Sequence, residues 1–344
     1  MHIEFGSDID TQANTDYVRE AGENHFWDKA CLFRSGRDAL RLLAKSLYPA
    51  HKRAFMPVLS CPSMTEPFQK NGFQVVYYPM RKDFSADDHF LDEHLADGDV
   101  LLHMNYFGIA PEHGHIHRQL RNLVTIDDRT HSLRQAMEAQ CCADHMLFSV
   151  RKWVSLADGG LLLSKKQIRP NYDVYDSAYR DAKQQAMDKK SAYLQNGAPE
   201  TKETFLRLFA QAEQQLDSDN SVMEMSKESA RVLKTTDFSS VEIKRKKNAE
   251  LLFQMLPEYA LLPHVKEGPL FFPVMVKNQK EAQEHLAQNN IYCPVIWPIQ
   301  QSASGVCAFS ENIAAHMLAV PCDQRYSPKE IEYIGGKVRE AARP

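Results

Sequence analysis

No stretch of this chain approaches the roughly 20 consecutive apolar residues that a membrane-spanning helix requires. The opening residues, Met1 to Asp8, are acidic and lack the apolar core of a secretory signal. An excess of one charge is lacking too. The formal net charge is only -4, which gives no electrostatic reason to expect nucleic acid or an anionic membrane surface as a partner. No C-x-x-C spacing occurs among Cys31, Cys61, Cys141, Cys142, Cys293, Cys307 and Cys322. An odd set without that spacing reads as reduced thiols, mostly small core residues, in a cytoplasmic protein. Internal repeats and low-complexity tracts are also missing, which leaves an ordinary globular chain.

What is present suits a large domain plus a smaller one. The chain has 344 residues, of which 43% are hydrophobic and 25% charged, enough to build a sizeable core. From residue 32 to about 165, short apolar runs alternate with helical patterns. The pattern predicts strands at Leu32–Arg34, Ala54–Leu59, Val75–Tyr78, Val100–Met104, Leu123–Ile126, Met146–Ser149 and Leu161–Ser164. It predicts helices over Ser35–Leu47, Pro62–Lys70, Phe90–Leu95 and Ile116–Leu120 between them. Such alternation implies a mostly parallel central sheet with helices on both faces, and ligands bound beyond the carboxyl ends of the strands. Residues 166–247 are polar and helical, with a break at Asn196–Pro199. Later come an edge strand at Gly268–Val276, a helix at Gln279–Gln288, a strand at Ile291–Trp297 and a last helix over Ser327–Ala342. The expected division is an N-terminal segment 1–30, a large α/β domain with helical connector 31–240, and a smaller C-terminal α+β domain 241–344.

Chemistry concentrates at the predicted strand ends. Lys152 lies between two apolar runs, and Asp127-Asp128 ends a strand of its own. A lysine and a buried carboxylate at the edge of an α/β sheet are what pyridoxal phosphate chemistry needs. The amine forms a Schiff base, and the carboxylate keeps the pyridine nitrogen protonated. Each residue also has a plainer reading: most lysines are solvated, and an aspartate at a strand end is often a turn former. The apolar flanks Phe148 and Trp153, with Gly159-Gly160, predict a desolvated lysine of depressed pKa. Alternation puts Asp127 and Asp128 on opposite faces, so either is a candidate. His131 is near enough to reach the same pocket, or is structural. Ser35-Gly36-Arg37 opens a helix, where free N–H groups and the dipole suit a phosphate; an ordinary serine cap reads the same way. Ser149 and Arg151 would add a hydroxyl and a guanidinium. His113-Gly-His-Ile-His117 has metal-like spacing but no accompanying cysteine or carboxylate cluster, so it reads as a solvated turn and no metal is expected. Cys141-Cys142 has no assigned role.

In order, these segments resemble the DegT/DnrJ/StrS family of pyridoxal-phosphate sugar aminotransferases, across most of the chain. Ser35 to Leu40 is similar to the family's phosphate-binding turn, and Met56 to Cys61 to its Pro-rich strand end. His103 to Gly108 resembles its His-x-x-x-Gly segment, Asp127 to His131 its Glu-Asp-x-x-(Gln/His) motif, and Ser149 to Gly160 its Ser…Lys…Gly-Gly motif. Leu318 to Pro321 and Ser327 to Ile331 resemble its ending. The resemblance implies the aspartate-aminotransferase-like fold (fold type I) and pyridoxal 5'-phosphate as cofactor. It implies Lys152 and Asp128 as catalytic residues, with Asp128 rather than Asp127 at the ring nitrogen. Cofactor contacts would come from Ser35, Gly36, Arg37, Cys61, Asp128, His131, Ser149 and Lys152. Lysine in place of the dehydratase branch's histidine favours amino transfer, from a donor such as glutamate to a keto sugar, in cell-surface polysaccharide or secondary-metabolite biosynthesis. The family also implies a cytoplasmic homodimer with sites at the interface. Three departures stand out. Cys61 occupies the place of the family's aromatic ring over the pyridine, so Tyr106 or Phe107 is expected to cover that face. Asp219 to Met225 lacks the arginine of the family's Gly-x-Asn-x-Arg segment, which that family lends to the neighbouring subunit. The loop after Trp297 is short. These keep two alternatives open: an enzyme of the same fold acting on a non-sugar substrate, and a cofactor-binding protein with a regulatory role.

Overall fold

The computed structural model describes residues 4–13, 16–18, 27–109, 120–138 and 143–342. The histidine tract, the Cys141-Cys142 pair and most of the helix expected at Ile116–Leu120 lie outside them. In chain order the elements are β1 (Phe5–Gly6), β2 (Cys31–Phe33), α1 (Gly36–Leu47), β3 (Arg53–Pro57), α2 (Pro62–Lys70), β4 (Gln74–Tyr78), α3 (Asp88–His94), β5 (Val100–Met104), β6 (Val124–Asp128), α4 (Leu133–Met137), β7 (His145–Phe148) and β8 (Gly160–Ser164). Next come α5 (Ala178–Asn196), α6 (Pro199–Ser218), α7 (Lys227–Thr235) and α8 (Phe238–Met255). The chain ends with β9 (Phe272–Met275), α9 (Gln279–Gln288), β10 (Ile291–Tyr292), α10 (Ala308–His316), β11 (Met317–Val320) and α11 (Pro328–Ala342).

Local chemistry accounts for most boundaries. The Ser35 hydroxyl accepts the Asp38 N–H and caps α1, whose Ala39, Leu40, Leu43 and Ala44 turn inward. Pro62 begins α2, where its missing N–H costs nothing. Gly197, at φ +67°, stops α5 in the left-handed conformation, and Pro199 restarts the chain as α6.

The main sheet runs β2-β8-β7-β6-β5-β3-β4. Strands β7, β6, β5, β3 and β4 are mutually parallel, and β8 is antiparallel to both its neighbours. Every residue of β5 is buried, as a strand covered on both faces must be. Parallel pairing aligns Met104, Asp128 and Leu147 at one edge. On one face Leu40, Leu43, Leu102 and Ile126 join a core that extends to Leu252 and Phe272. A second cluster gathers Leu133, Phe148, Val150, Trp153 and Leu161.

Two small sheets complete the chain. Strand β9 pairs with β11 antiparallel, so Leu318–Val320 is a strand as well as an ending. Strand β10 pairs in parallel with β1, which ties the N-terminal segment to the C-terminal half. The strand expected over Ile291–Trp297 stops at Tyr292, because Pro294 has no N–H to continue a ladder. The expected division at 240/241 falls inside α8.

One close approach builds the site. A Cβ on Gly160 would lie 2.2 Å from the Ser35 carbonyl carbon and 2.4 Å from the Gly36 nitrogen. No side chain fits there, so glycine alone lets the segment after Lys152 press against the start of α1.

Candidate active site

A cavity of about 700 Å³ opens beyond the carboxyl ends of the parallel strands, within the size range of small-molecule sites. Its wall includes Ser35, Gly36 and Arg37 from the start of α1, Cys61 before α2, and Asp128 from β6. His131, Ser149 and Lys152 complete the set read from the sequence. The fold thus gathers all eight residues on one cavity.

Strand alternation separates the two aspartates. Asp128 faces the cavity, while Asp127 points away and pairs with Arg129 at 2.8 Å. Asp128 is buried, and that burial raises its pKa above the ordinary carboxylate value. Hydrogen bonds from Thr130 and the nearby Lys152 charge act against the rise. The Thr130 N–H donates to Asp128 Oδ1 at 2.8 Å. Thr130 also accepts the Ser149 N–H on its hydroxyl and the Trp153 indole N–H on its carbonyl. It therefore fixes Asp128 relative to the lysine turn. No motif in the sequence singled it out.

Lys152 corrects an expectation. It sits in a 3₁₀ turn, Val150–Lys152, and its side chain is exposed. Phe148 and Trp153 are fully buried, but they point into the core behind the turn. Apolar neighbours in sequence therefore did not desolvate the amine, which projects into the open cavity instead.

His131 is buried, and desolvation holds its pKa well below the usual imidazole value, with the Lys152 charge adding to the effect. Its ring is neutral. The ring stacks on Trp297, centroids 5.4 Å apart, and Nδ1 has no hydrogen-bond partner among the described residues. Trp297 is one of the aromatic rings on the cavity wall, with Phe271 and Tyr292. Tyr106 and Phe107 are not on that wall. Tyr106 is turned into the core, where its hydroxyl donates to the Leu59 carbonyl, and Phe107 packs on Phe84. The Cys61 thiol lies 2.7 Å from the Ser63 hydroxyl.

At the α1 start, Gly36 and Arg37 hold the first N–H groups of a helix, which have no partner within it. The Arg37 guanidinium is already committed to Asp217, so a phosphate there would meet its backbone N–H. Arg151 is likewise engaged, with Glu213 on α6 at 2.8 Å. Sequence reasoning missed Glu213 and Lys183, which also line the cavity, because the contacts join distant segments. The stretch Asp219–Met225 packs against its own chain: Asp219 pairs with Arg34 at 2.7 Å, and the Met223 carbonyl accepts the Arg34 N–H.

Beneath the His131 turn lies a second unusual carboxyl. Ser132 donates its hydroxyl to Glu267 Oε1, and the absent Cβ of Gly108 leaves room for that oxygen. Burial pushes the Glu267 pKa up to about 7, and the neighbouring Glu242 adds to the rise. The ordinary value is 4.5, so folding takes up a proton between those two pH values. Stability from this group is fully present below about pH 4.5 and is lost as pH rises through 7. The full swing is about 3 kcal/mol. Glu267→Gln should flatten this dependence and raise the urea midpoint of unfolding in mildly alkaline buffer. An unchanged slope between acid and alkaline buffers would refute the assignment.

No family model matches the sequence, and no curated protein matches it. Solved structures do. Streptococcus pneumoniae Spr1654, assigned as a sugar aminotransferase and solved in its PLP form, is 14% identical, with 99% of each chain covered and a TM-score of 0.68. Helicobacter pylori PseC, an aminotransferase involved in the biosynthesis of pseudoaminic acid, is 13% identical over 98% of this chain and 99% of that one, with a TM-score of 0.64. A DegT DnrJ EryC1 StrS aminotransferase from Brucella abortus is 13% identical over 96% of this chain and 93% of its own, with a TM-score of 0.61. The chain therefore has the aspartate-aminotransferase-like fold, fold type I, with a mostly parallel central sheet and helices on both faces.

Proposed function

We propose that the protein is a pyridoxal-phosphate-dependent aminotransferase that passes an amino group from an amino-acid donor, such as glutamate, to a keto sugar. The observation that carries this reading is the grouping on one cavity wall of an open lysine, a buried aspartate and a helix start. The donor set fits the cofactor. N–H groups at Gly36 and Arg37, with the Ser149 hydroxyl, suit a phosphate. Asp128 supplies a buried carboxylate, and His131 Nδ1 awaits a partner. When bound, the cofactor supplies an electron sink for a carbanion at the substrate carbon.

The chain's own groups do the rest. Lys152 Nζ would hold the cofactor and, once released from it, would be a free amine. That free amine would act as general base, take up the proton from the donor α-carbon and give it back in the same transfer. Asp128 would keep the ring nitrogen protonated, which would make the sink effective. His131, neutral and held by Trp297, offers a hydrogen bond without adding charge. The acceptor half runs the same proton transfers in reverse. The resemblance of its motifs to the DegT/DnrJ/StrS family further implies a nucleotide-linked keto sugar and a cytoplasmic homodimer with its sites at the interface.

The test is spectroscopic. Protein reconstituted with pyridoxal 5'-phosphate should be yellow, glutamate should bleach it, and a keto sugar should restore the colour. Protein that takes up no cofactor sinks the proposal. Cofactor that binds but is converted by no amino acid points to a binding role. One observation favours a non-sugar acceptor: Phe271, Val295, Ile296 and Trp297 give the cavity lining an apolar portion. Colour restored by apolar ketones and not by keto sugars would establish that second reading.

A further inference from the structure

The cavity lining includes an ionic cluster that the reaction above does not use. Arg151 and Lys183 both line the cavity, with side chains only 14% and 7% exposed. They share one acceptor. Glu213 Oε1 lies 2.8 Å from Arg151 Nη1 and 3.3 Å from Lys183 Nζ. Lys183 also meets Asp8 at 2.8 Å. The Glu213 side chain is 40% exposed and lines the cavity, and it engages the guanidinium through one nitrogen alone. Arg151 Nε is buried without a partner among the described residues, and so is the Tyr179 hydroxyl, whose ring lies beside that guanidinium. Burial would raise the Glu213 pKa, but Arg151 and Lys183 outweigh it and hold the group ionised.

The helix that carries Glu213 is only loosely part of the main core. The apolar faces of α5 and α6 pack mainly on each other, through Met187, Tyr193, Phe205 and Phe209 in one cluster and Tyr179, Ala212 and Leu216 in another. Ion pairs supply much of the rest of the join. Beyond Glu213 these include Arg37 with Asp217, one turn further along α6, and Glu4 with Lys190 and Lys202. A carboxylate on such a helix can withdraw without breaking apolar packing against the sheet.

We propose that Arg151 and Lys183 form a carboxylate-binding subsite, and that Glu213 is its internal occupant, displaced when a carboxylate-bearing ligand enters the cavity. The subsite is shaped for a carboxylate because one already sits in it. A ligand free of the helix tether can shift to pair also with Arg151 Nε, which is buried and unpartnered among the described residues and which Glu213 does not meet. Glu213 thereby sets the ligand affinity: if it fills the subsite nine-tenths of the time, it weakens apparent binding about tenfold. The inference concerns the cofactor-free protein and requires no linkage at Lys152, so it stands or falls apart from the aminotransferase reading.

The test is thermal unfolding of the full cofactor-free chain titrated with succinate, against sodium chloride at equal ionic strength. Glu213→Gln should reach half its stabilisation at a succinate concentration at least tenfold lower than wild type. The double variant Glu213→Gln with Lys183→Met, which restores the charge balance, should lose that gain. If Glu213→Gln alone is poorly folded, recovery of its unfolding transition by succinate and not by chloride is the same result. Equal half-points in wild type and Glu213→Gln overturn the proposal. A chloride response that matches succinate, or a gain that survives in the double variant, does so as well.

Discussion

Lys152→Ala protein mixed with pyridoxal 5'-phosphate and reduced with borohydride should carry no covalent cofactor, and its transamination rate should fall by at least about 10²–10⁴-fold, the share that a positioned general base supplies. The wild-type protein should carry one adduct, at Lys152. The prediction is sharp because the cavity contains a second amine. Lys183 is the rival, and the structure explains why it should fail. Burial would lower its pKa, but the Asp8 carboxylate, Tyr179 and Glu213 together outweigh that, raise it and favour the ammonium form. A protonated amine bonded to two carboxylates has no lone pair to offer. Lys152 is exposed on a 3₁₀ turn whose neighbours Val150 and Trp153 are fully buried. Its removal should therefore leave the melting temperature nearly unchanged, which separates lost chemistry from lost fold. An adduct on Lys183 in the wild type, or an undiminished adduct in Lys152→Ala, would remove the lysine from its proposed role.

How far this site could be read from the sequence depends on the range of each interaction. The Ser35 cap, the Pro62 start and the Gly197 stop are decided within a few residues, and they stand where local pattern puts them. The parallel order of the sheet follows from alternating strands and helices, because each crossover must return to the same edge. Other features depend on packing between distant segments. The choice between Asp127 and Asp128 needs to know which face carries Arg129 and which opens on the cavity. Phe148 and Trp153 suggested a desolvated Lys152, yet a 3₁₀ turn sends neighbouring side chains in different directions. The expected aromatic cover at Tyr106 or Phe107 went into the core, and Trp297 reached His131 from the far end of the chain. Glu213 meets Arg151 across 62 residues of sequence, a pairing that no local pattern encodes.

Asp128→Asn should divide chemistry from stability in the opposite way to a core substitution. Asparagine keeps the shape of the side chain and an Oδ1 that can accept the Thr130 N–H, so the β6 edge should keep its geometry. What it removes is a buried negative charge. Because burial raises the Asp128 pKa above its ordinary value of 3.8, the group contributes most to stability when protonated, and that contribution is lost as pH rises through the folded-state pKa. At neutral pH the cofactor-free Asp128→Asn protein should therefore be at least as stable as wild type, measured by urea unfolding. Its transamination rate should nonetheless fall by about 10²–10⁴-fold, since a neutral amide does not hold a proton on the ring nitrogen opposite. Asp127→Asn provides the contrast. It breaks the pair with Arg129 on the other face, so it should lower stability and leave the chemical step nearly intact. If Asp127→Asn abolishes turnover while Asp128→Asn retains it within threefold, the face of β6 that serves the cofactor has been misassigned. The raised pKa also makes the two roles of Asp128 one property. The desolvation that makes its charge costly in the empty cavity is what makes a protonated ring nitrogen a favourable partner there, and no other acid on β6 faces that cavity.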